Sequence, residues 1–271
     1  MPELPEVETT RRGIEPAVSN AVLTDVQVRN PNMRWRTPTR ALKKLIGQRI
    51  VSLQRRAKYL LLGTESDTIL LHLGMSGSLH VLPTQCPPGK HDHLDLEFDH
   101  KTLVRFNDPR RFGCCLVLKE PVQQHKLLAG LGPEPLSDEF DGGHLKMLAK
   151  GRRVAVKNFI MDGRVVVGVG NIYASEALYR AGIRPGIAAG GVSAVRYSGL
   201  ATAIKDVLAD AIRAGGTTLN DFSQADGKPG YFRHELQVYG REGQPCLSCS
   251  EPIRSRFIGQ RNSYYCSICQ R

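Results

Sequence analysis

Hydrophobic residues in the first half of the chain fall in short apolar or alternating runs punctuated by turn residues: Val22 to Val28, Ile50 to Gln54, Tyr59 to Leu62, Thr68 to Leu73, Leu94 to Phe98, Thr102 to Phe106 and Cys115 to Leu118. This pattern predicts strands of a sandwich or barrel. An amphipathic helix precedes them, with Leu4, Val7 and Ile14 on one side and Pro5 suited to the first turn. From Leu131 to Gly143 the chain is rich in Pro, Gly and acids and reads as a linker. Beyond it the period becomes helical. The clearest stripe is Leu200, Ile204, Val207, Leu208, Ala211 and Ile212, within a helix expected over Val195 to Ala214 and stopped by Gly215 and Gly216. A Gly-rich loop (Ala225 to Tyr231) and a cysteine module from about Glu235 onward complete the chain.

With 271 residues the chain can hold two domains, each with its own core. Its net charge of +11 points to a polyanionic partner, and the placement of that charge says more than the total. From Val26 to Thr64 there is no Asp or Glu, while Arg29, Arg34, Arg36, Arg40, Lys43, Lys44, Arg49, Arg55, Arg56 and Lys58 all fall there. A run of this kind is either a solvated face or a phosphate-binding groove, because clustered cations release counterions from nucleic acid. No segment approaches the roughly 18 apolar residues of a membrane span. The first ten residues carry Glu3, Glu6 and Glu8 and no apolar run, so no secretory signal is expected. A cytoplasmic, nucleoid-associated protein is expected. Nothing demands an oligomer, and a monomer is expected.

Four of the seven cysteines form Cys246-x2-Cys249-x16-Cys266-x2-Cys269. Two C-x2-C pairs at this spacing, in a reducing compartment, predict one tetrahedral Zn2+ with no open position and therefore a structural one. Cys86, Cys114 and Cys115 lack such partners and read as ordinary thiols.

The start of the chain, Met1-Pro2-Glu3-Leu4-Pro5-Glu6, has a chemistry of its own. Removal of Met1 would expose a secondary amine, and an α-amino group has a pKa of about 8 against about 10.4 for lysine. Near neutral pH a useful fraction of it is already free base, able to condense with an aldehyde carbon to a cationic iminium that acidifies the neighbouring C–H. Glu3 and Glu6 could move the protons involved. The alternative is simpler: acids at a helix N-terminus.

Several blocks decide between these readings. They are PELPEVETTRRGIEP (Pro2 to Pro16), RRAKYLLL (Arg55 to Leu62), HLGMSGSL (His72 to Leu79), KHDH (Lys90 to His93), DPRRFG (Asp108 to Gly113), LGPEPL (Leu131 to Leu136), VGVGNIYASE (Val167 to Glu176), GGTTL (Gly215 to Leu219), DGKPGYF (Asp226 to Phe232) and ELQVYGR (Glu235 to Arg241). Together with the four cysteines and in this order, they closely resemble the bacterial formamidopyrimidine-DNA glycosylases, over essentially the whole chain. One departure is Met161-Asp162-Gly163, where many relatives have a Leu-Asp-Gln-type sequence.

The resemblance implies an α+β fold: an N-terminal catalytic β-sandwich domain with a catalytic N-terminal helix (1–130), a linker and the start of the helical region (131–150), a helix–two-turns–helix DNA-binding domain (151–234) and a four-cysteine β-hairpin zinc finger (235–271). Damaged double-stranded DNA would lie in the cleft between the domains. By the same resemblance Pro2 is the nucleophile at the deoxyribose C1′, Glu3 the acid/base and Glu6 its assistant. Lys58 serves β-elimination and phosphate contact, and Arg261, presented by the zinc hairpin, grips phosphate and donates a proton in δ-elimination. Met75, Arg110 and Phe112 fill the space left by a flipped nucleotide; taken alone, Met75 and Phe112 would read as core. His91 and Arg152 match DNA contacts, Lys157 and Asn171 phosphate ligands, and Lys228 lies in a loop covering the flipped base. The pair His91-x-His93 lacks companions for a metal, and Gly168-Val169-Gly170 only resembles a dinucleotide fingerprint, since Tyr173 stands where the third glycine belongs.

The expected activity is excision of oxidised purines (8-oxoguanine, formamidopyrimidines) from duplex DNA by a bifunctional glycosylase/AP lyase of base excision repair, with strand cleavage by β,δ-elimination. Zinc is the one cofactor expected, and no membrane is involved. The related endonuclease VIII branch, directed to oxidised pyrimidines, begins Pro-Glu-Gly-Pro-Glu, whereas this chain has Pro-Glu-Leu-Pro-Glu. A non-catalytic DNA binder is the third reading; it predicts steep salt dependence without strand scission.

Overall fold

The computed structural model describes residues 2–119, 121–216 and 236–271. They form two compact units, one built from the chain up to Ala129 with a short segment beginning at Ala214, the other from Gly130–Arg213 with the C-terminal module.

The first unit opens with α1 (Leu4–Val18), where the expected stripe holds: Leu4, Val7 and Ile14 are buried and Pro5 sits in the first turn. Eight strands follow: β1 (Leu23–Val28), β2 (Ile50–Arg56), β3 (Tyr59–Thr64), β4 (Thr68–His72), β5 (Ser78–Pro83), β6 (Asp92–Phe98), β7 (Thr102–Asn107) and β8 (Cys114–Leu118), with a one-turn helix α2 (Thr39–Lys43) after β1. They pair antiparallel in two four-stranded sheets, in the order β1-β6-β7-β5 and β2-β3-β4-β8. The pattern's two options resolve as a sandwich. Its core gathers Leu23, Val26, Leu94, Leu96, Phe98, Val104 and Phe106 of one sheet with Leu60, Leu62, Ile69, Leu71 and Cys115 of the other, and α1 adds Val7, Ile14 and Val18. Cys114 and Cys115 are buried, and burial pushes the Cys114 thiol up to about 12, so both are inert core thiols.

Strand β5 was not among the expected runs. Its sequence, SLHVLP, has an apolar–polar–apolar stretch too short to stand out beside the Gly-Met-Ser-Gly turn before it. Partnership with β7 makes it a strand, and as an edge strand it tolerates Pro83 at its end.

The second unit holds α3 (Gly142–Ala149), α4 (Val156–Ile160), α5 (Asn171–Arg180), α6 (Ala194–Arg213) and a hairpin of β9 (Arg254–Ile258) and β10 (Arg261–Tyr265). Helix α6 buries the predicted stripe, and Gly215 and Gly216 then take positive φ (77° and 81°), the left-handed exit that ends a helix. The Glu176 carboxylate on α5 accepts from the backbone N–H groups of Gln237, Val238 and Tyr239 at 2.8, 3.0 and 2.8 Å, which docks the start of the cysteine module onto the helix. Burial raises the pKa of Glu176, while those three donors favour its ionised form. Among the described residues no helix is long and apolar enough to cross a membrane.

Candidate functional site

The amino-terminal chemistry is set by the cap of α1. Pro2, Glu3 and Glu6 are all buried, the two acids each 3% exposed. The Glu3 carbonyl accepts the first helical bond from Val7 N–H (3.1 Å), which makes Glu3 the N-cap. The carboxylate of Glu6 turns back to accept from Glu3 N–H at 2.9 Å, the reciprocal bond of a capping box. A buried proline thus stands directly before two carboxylates whose positions the helix start fixes. Gly216 closes over them: a Cβ there would lie 3.3 Å from Glu6 Oε1, so a bulkier residue would press on that carboxylate.

Lys58 occupies the turn between β2 and β3, after Ala57, which adopts a positive φ of 54° without being glycine. Arg55 Nη1 donates to the Ala57 carbonyl (3.0 Å) and its Nε to Glu8 on α1 (3.1 Å), so the turn is tied to α1. Beside Lys58 lies His72, paired across the strands with Tyr59. Burial, with the charges of Lys58 and Arg34, lowers His72 to about 4, and its neutral Nδ1 accepts from Gly74 N–H at 3.0 Å.

The candidate wedge residues come from two turns that the structure brings together. Met75 follows β4, and Arg110 and Phe112 follow β7; Met75 and Phe112 line one pocket of about 380 Å³ with Arg34, His72 and Gly74. The Arg110 guanidinium stacks over the Phe112 ring at 5.0 Å, and Phe112 is 45% exposed, so it is not a core residue. His91 is half-buried, and its backbone carbonyl accepts from Asp108 N–H (3.0 Å). His93 Nε2 lies 2.9 Å from the Asp108 carbonyl, a partner that gives it a structural place.

In the second unit Arg152 is exposed and borders a pocket of about 370 Å³ with Leu148, Val154, Asn158, Phe159 and Asp162. Lys157 is wholly buried: its Nζ meets Asn171 Oδ1 at 2.5 Å, Ser263 Oγ at 2.6 Å and the Asn262 carbonyl at 3.2 Å. Asn171 also donates to the Asn262 carbonyl (3.1 Å). Both therefore hold the hairpin just beyond Arg261. Arg261 itself is exposed, at the start of β10 after the Gly259–Gln260 turn, where both residues have positive φ. Lys228 and its loop lie outside the described residues.

The sulfurs of Cys246, Cys249, Cys266 and Cys269 lie within 4.8 Å of one another, with Cys246–Cys269 at 3.9 Å and Cys249–Cys266 at 3.4 Å. Four thiolates around a tetrahedral zinc, at about 2.3 Å each, stand roughly 3.8 Å apart, so these residues fit a metal. Tyr179 on α5 supports the cluster, its hydroxyl 3.2 Å from Cys246 Sγ and 2.8 Å from Ser248 Oγ.

Residue reading alone passed over Asp108, Ser76 and His72. All three lie inside motif blocks beside neighbours with more overt chemistry; Asp108 and Ser76 are buried and His72 half-buried, and each is marked by the hydrogen bond it makes to a turn.

Residues 1–115 match the family model of the formamidopyrimidine-DNA glycosylase N-terminal domain, and residues 131–223 that of its H2TH domain. These two matches define the class, a DNA glycosylase of sandwich-plus-H2TH build. Formamidopyrimidine-DNA glycosylases of Syntrophotalea carbinolica and Methylococcus capsulatus are 56% and 55% identical to it, with all of both chains covered. The crystal structure of MutM (Fpg) from Thermus thermophilus superposes with a TM-score of 0.89 at 38% identity, over 99% of this chain and 98% of that one. A Lactococcus lactis Fpg mutant in complex with Fapy-dG-containing DNA gives 0.93 at 30% identity over 100% of both. The chain belongs to the formamidopyrimidine-DNA glycosylase family.

Proposed function

We propose that the protein removes oxidised purines from duplex DNA through an imine at Pro2 and then cuts the strand by β,δ-elimination. The observation that carries this reading is the buried sequence Pro2-Glu3 with Glu6 folded back on the Glu3 amide, in a chain that matches its family from end to end. Glycosylase activity on oxidised purines, with the AP lyase activity characteristic of the family, follows from membership.

With Met1 removed, the Pro2 nitrogen would attack C1′ of the lesion nucleotide. The C1′–N bond breaks, the base leaves with a proton, and ring opening gives an iminium between Pro2 and C1′. Glu3 supplies and takes protons at the sugar, and Glu6 fixes the Glu3 backbone. The cationic iminium acidifies C2′–H; loss of that proton expels the 3′ phosphate, and a second elimination expels the 5′ phosphate. Lys58 faces phosphate and assists the first elimination, and Arg261 grips phosphate and assists the second. Met75, Arg110 and Phe112 occupy the gap in the duplex, and His91, Arg152 and Lys228 contact DNA. Lys157, being buried, acts on phosphate through Asn171 and the hairpin. Cys246, Cys249, Cys266 and Cys269 would hold one zinc ion, whose contribution is to fold the hairpin. Action on chromosomal DNA places the protein in the cytoplasm.

Borohydride trapping on a duplex containing 8-oxoguanine opposite cytosine, beside an undamaged control, tests the proposal. A lesion-dependent adduct at Pro2 is expected. Adduct formation only with an oxidised pyrimidine would change the substrate, and lesion binding with no adduct would replace the enzyme by a binder.

A further inference from the structure

Wedge residues that come from separate turns must enter a duplex in register, and Asp108 supplies the means. It is 0% exposed, and both carboxylate oxygens are used: Oδ1 accepts from Ser76 Oγ at 2.7 Å and Oδ2 from Gly113 N–H at 2.8 Å. Ser76 Oγ in turn accepts from Arg110 N–H at 3.2 Å. One buried acid thereby reaches the turn that carries Met75, the amide just past Phe112 and, through one hydroxyl, the amide of Arg110.

Packing closes the same joint. Gly74 has a φ of +67°, and a Cβ on it would overlap the backbone of Phe112 and Gly113. A Cβ on Gly113 would meet the Phe106 ring and the His72 carbonyl. His72 Nδ1 holds the Gly74 amide at 3.0 Å. The two turns therefore touch backbone to backbone, with a charge-assisted clamp at the centre.

We infer that Asp108, through Ser76, is a positioning residue that welds the Met75 turn and the Arg110–Phe112 turn into one preorganised wedge before DNA is met. The inference rests on the wedge reading of Met75 and Phe112. Its consequence is specific: loosening the clamp costs the steps that need a filled gap in a duplex, and spares the imine chemistry at Pro2, which does not.

The test compares Ser76→Ala, Asp108→Asn, Asp108→Ala and Met75→Ala in the full-length, zinc-loaded protein. Two substrates are used: a lesion duplex with a fluorescent base analogue beside the lesion, and a single-stranded abasic oligonucleotide trapped with borohydride. Ser76→Ala should slow the fluorescence phase that reports gap filling, and lower kcat/KM on the duplex about tenfold, the loss of one hydrogen bond to a charged group. Single-strand trapping should stay within about twofold. Asp108→Asn should be milder, because its amide can donate to Ser76 Oγ and still accept from Gly113 N–H. Asp108→Ala should match or exceed Ser76→Ala, and if it fails to fold, Ser76→Ala decides. Equal losses on both substrates, or an unchanged fluorescence phase in Ser76→Ala, would overturn the clamp. If Met75→Ala also leaves the duplex unaffected, the wedge reading itself is overturned; if only Met75→Ala is impaired, the wedge stands and the clamp falls.

Discussion

Lys157 Nζ lies 2.6 Å from Ser263 Oγ, an ammonium on α4 meeting a hydroxyl on β10 across 106 positions of sequence. With Asn171 Oδ1 and the Asn262 carbonyl it has three acceptors around an ammonium that carries three hydrogens. A buried charge of this kind is tolerated only while its partners remain in place. The contact therefore fixes where β10 runs, and with it where Arg261 begins.

Lys157→Met keeps the aliphatic stem and removes the ammonium, so Asn171 Oδ1 and Ser263 Oγ lose that donor, the hydroxyl keeping its bond to the Arg261 carbonyl. Stability should fall by about 2–3 kcal/mol in urea unfolding, the cost of breaking such a buried network. Duplex affinity should fall with it, while trapping on a single-stranded abasic site is retained. Full stability in this variant would mean that the network does not hold the hairpin.

His72 gives the protein an acid sensitivity of defined sign. Its folded pKa of about 4 lies below the ordinary 6.5. Above pH 6.5 the ring is neutral in both states and contributes no slope. Between about 6.5 and 4 the unfolded chain takes up a proton that the folded chain refuses, so stability falls as pH falls, by up to about 3 kcal/mol, and levels off below. His72→Asn offers an amide oxygen to Gly74 N–H and does not titrate. Denaturant curves at pH 7.5, 6 and 5 should show the wild type losing stability relative to this variant. Parallel losses in the two proteins would show that another group is responsible.

Metal removal should act on the hairpin and leave the sandwich folded. An organomercurial with a chelator should release one zinc per chain, detected with a chromophoric dye. Without the metal, four sulfurs within 4.8 Å of one another lose the ion that would draw them together, and the backbone around Cys246 and Cys266 loses its main anchor. Duplex affinity should drop by at least about tenfold, the scale on which even supporting groups of a metal site act. The main thermal transition, carried by the sandwich core, should move little. Zinc release without loss of affinity would separate the metal from DNA binding.

The legible parts of this chain were those with a period or a fixed spacing. The stripes of α1 and α6, seven of the strands and the four-cysteine cluster all stand where local pattern put them. Helix α2 and strand β5 were not legible, because each is too short to carry a period and exists through its neighbours. The site divides in the same way. The cysteines declare themselves by spacing, whereas Pro2 and Glu3 at the chain start read equally as a plain helix N-terminus until the motif blocks are taken with them. Asp108 does not, because its meaning lies in two acceptors reaching partners 32 and 5 positions away. Lys157, matched by resemblance to a phosphate ligand, has a burial that only the fold shows.

Arg261 offers the clearest separation of binding from the first chemical step. It is exposed at the start of β10, while its neighbours Asn262 and Ser263 are pinned by Lys157 and Asn171, so its backbone is fixed and its guanidinium is available for phosphate. Arg261→Ala removes that guanidinium without disturbing the Lys157 contacts, which use the Asn262 carbonyl and Ser263 Oγ. Duplex affinity should weaken by on the order of tenfold, the worth of a charge-assisted phosphate contact, and its salt dependence should become shallower by about one phosphate. Product analysis on denaturing gels should show the β-elimination product persisting while the δ-product appears slowly. Borohydride trapping at saturating DNA should be close to wild type, because Pro2 and Glu3 are intact. Unchanged affinity together with an unchanged ratio of β- to δ-products would remove Arg261 from the site.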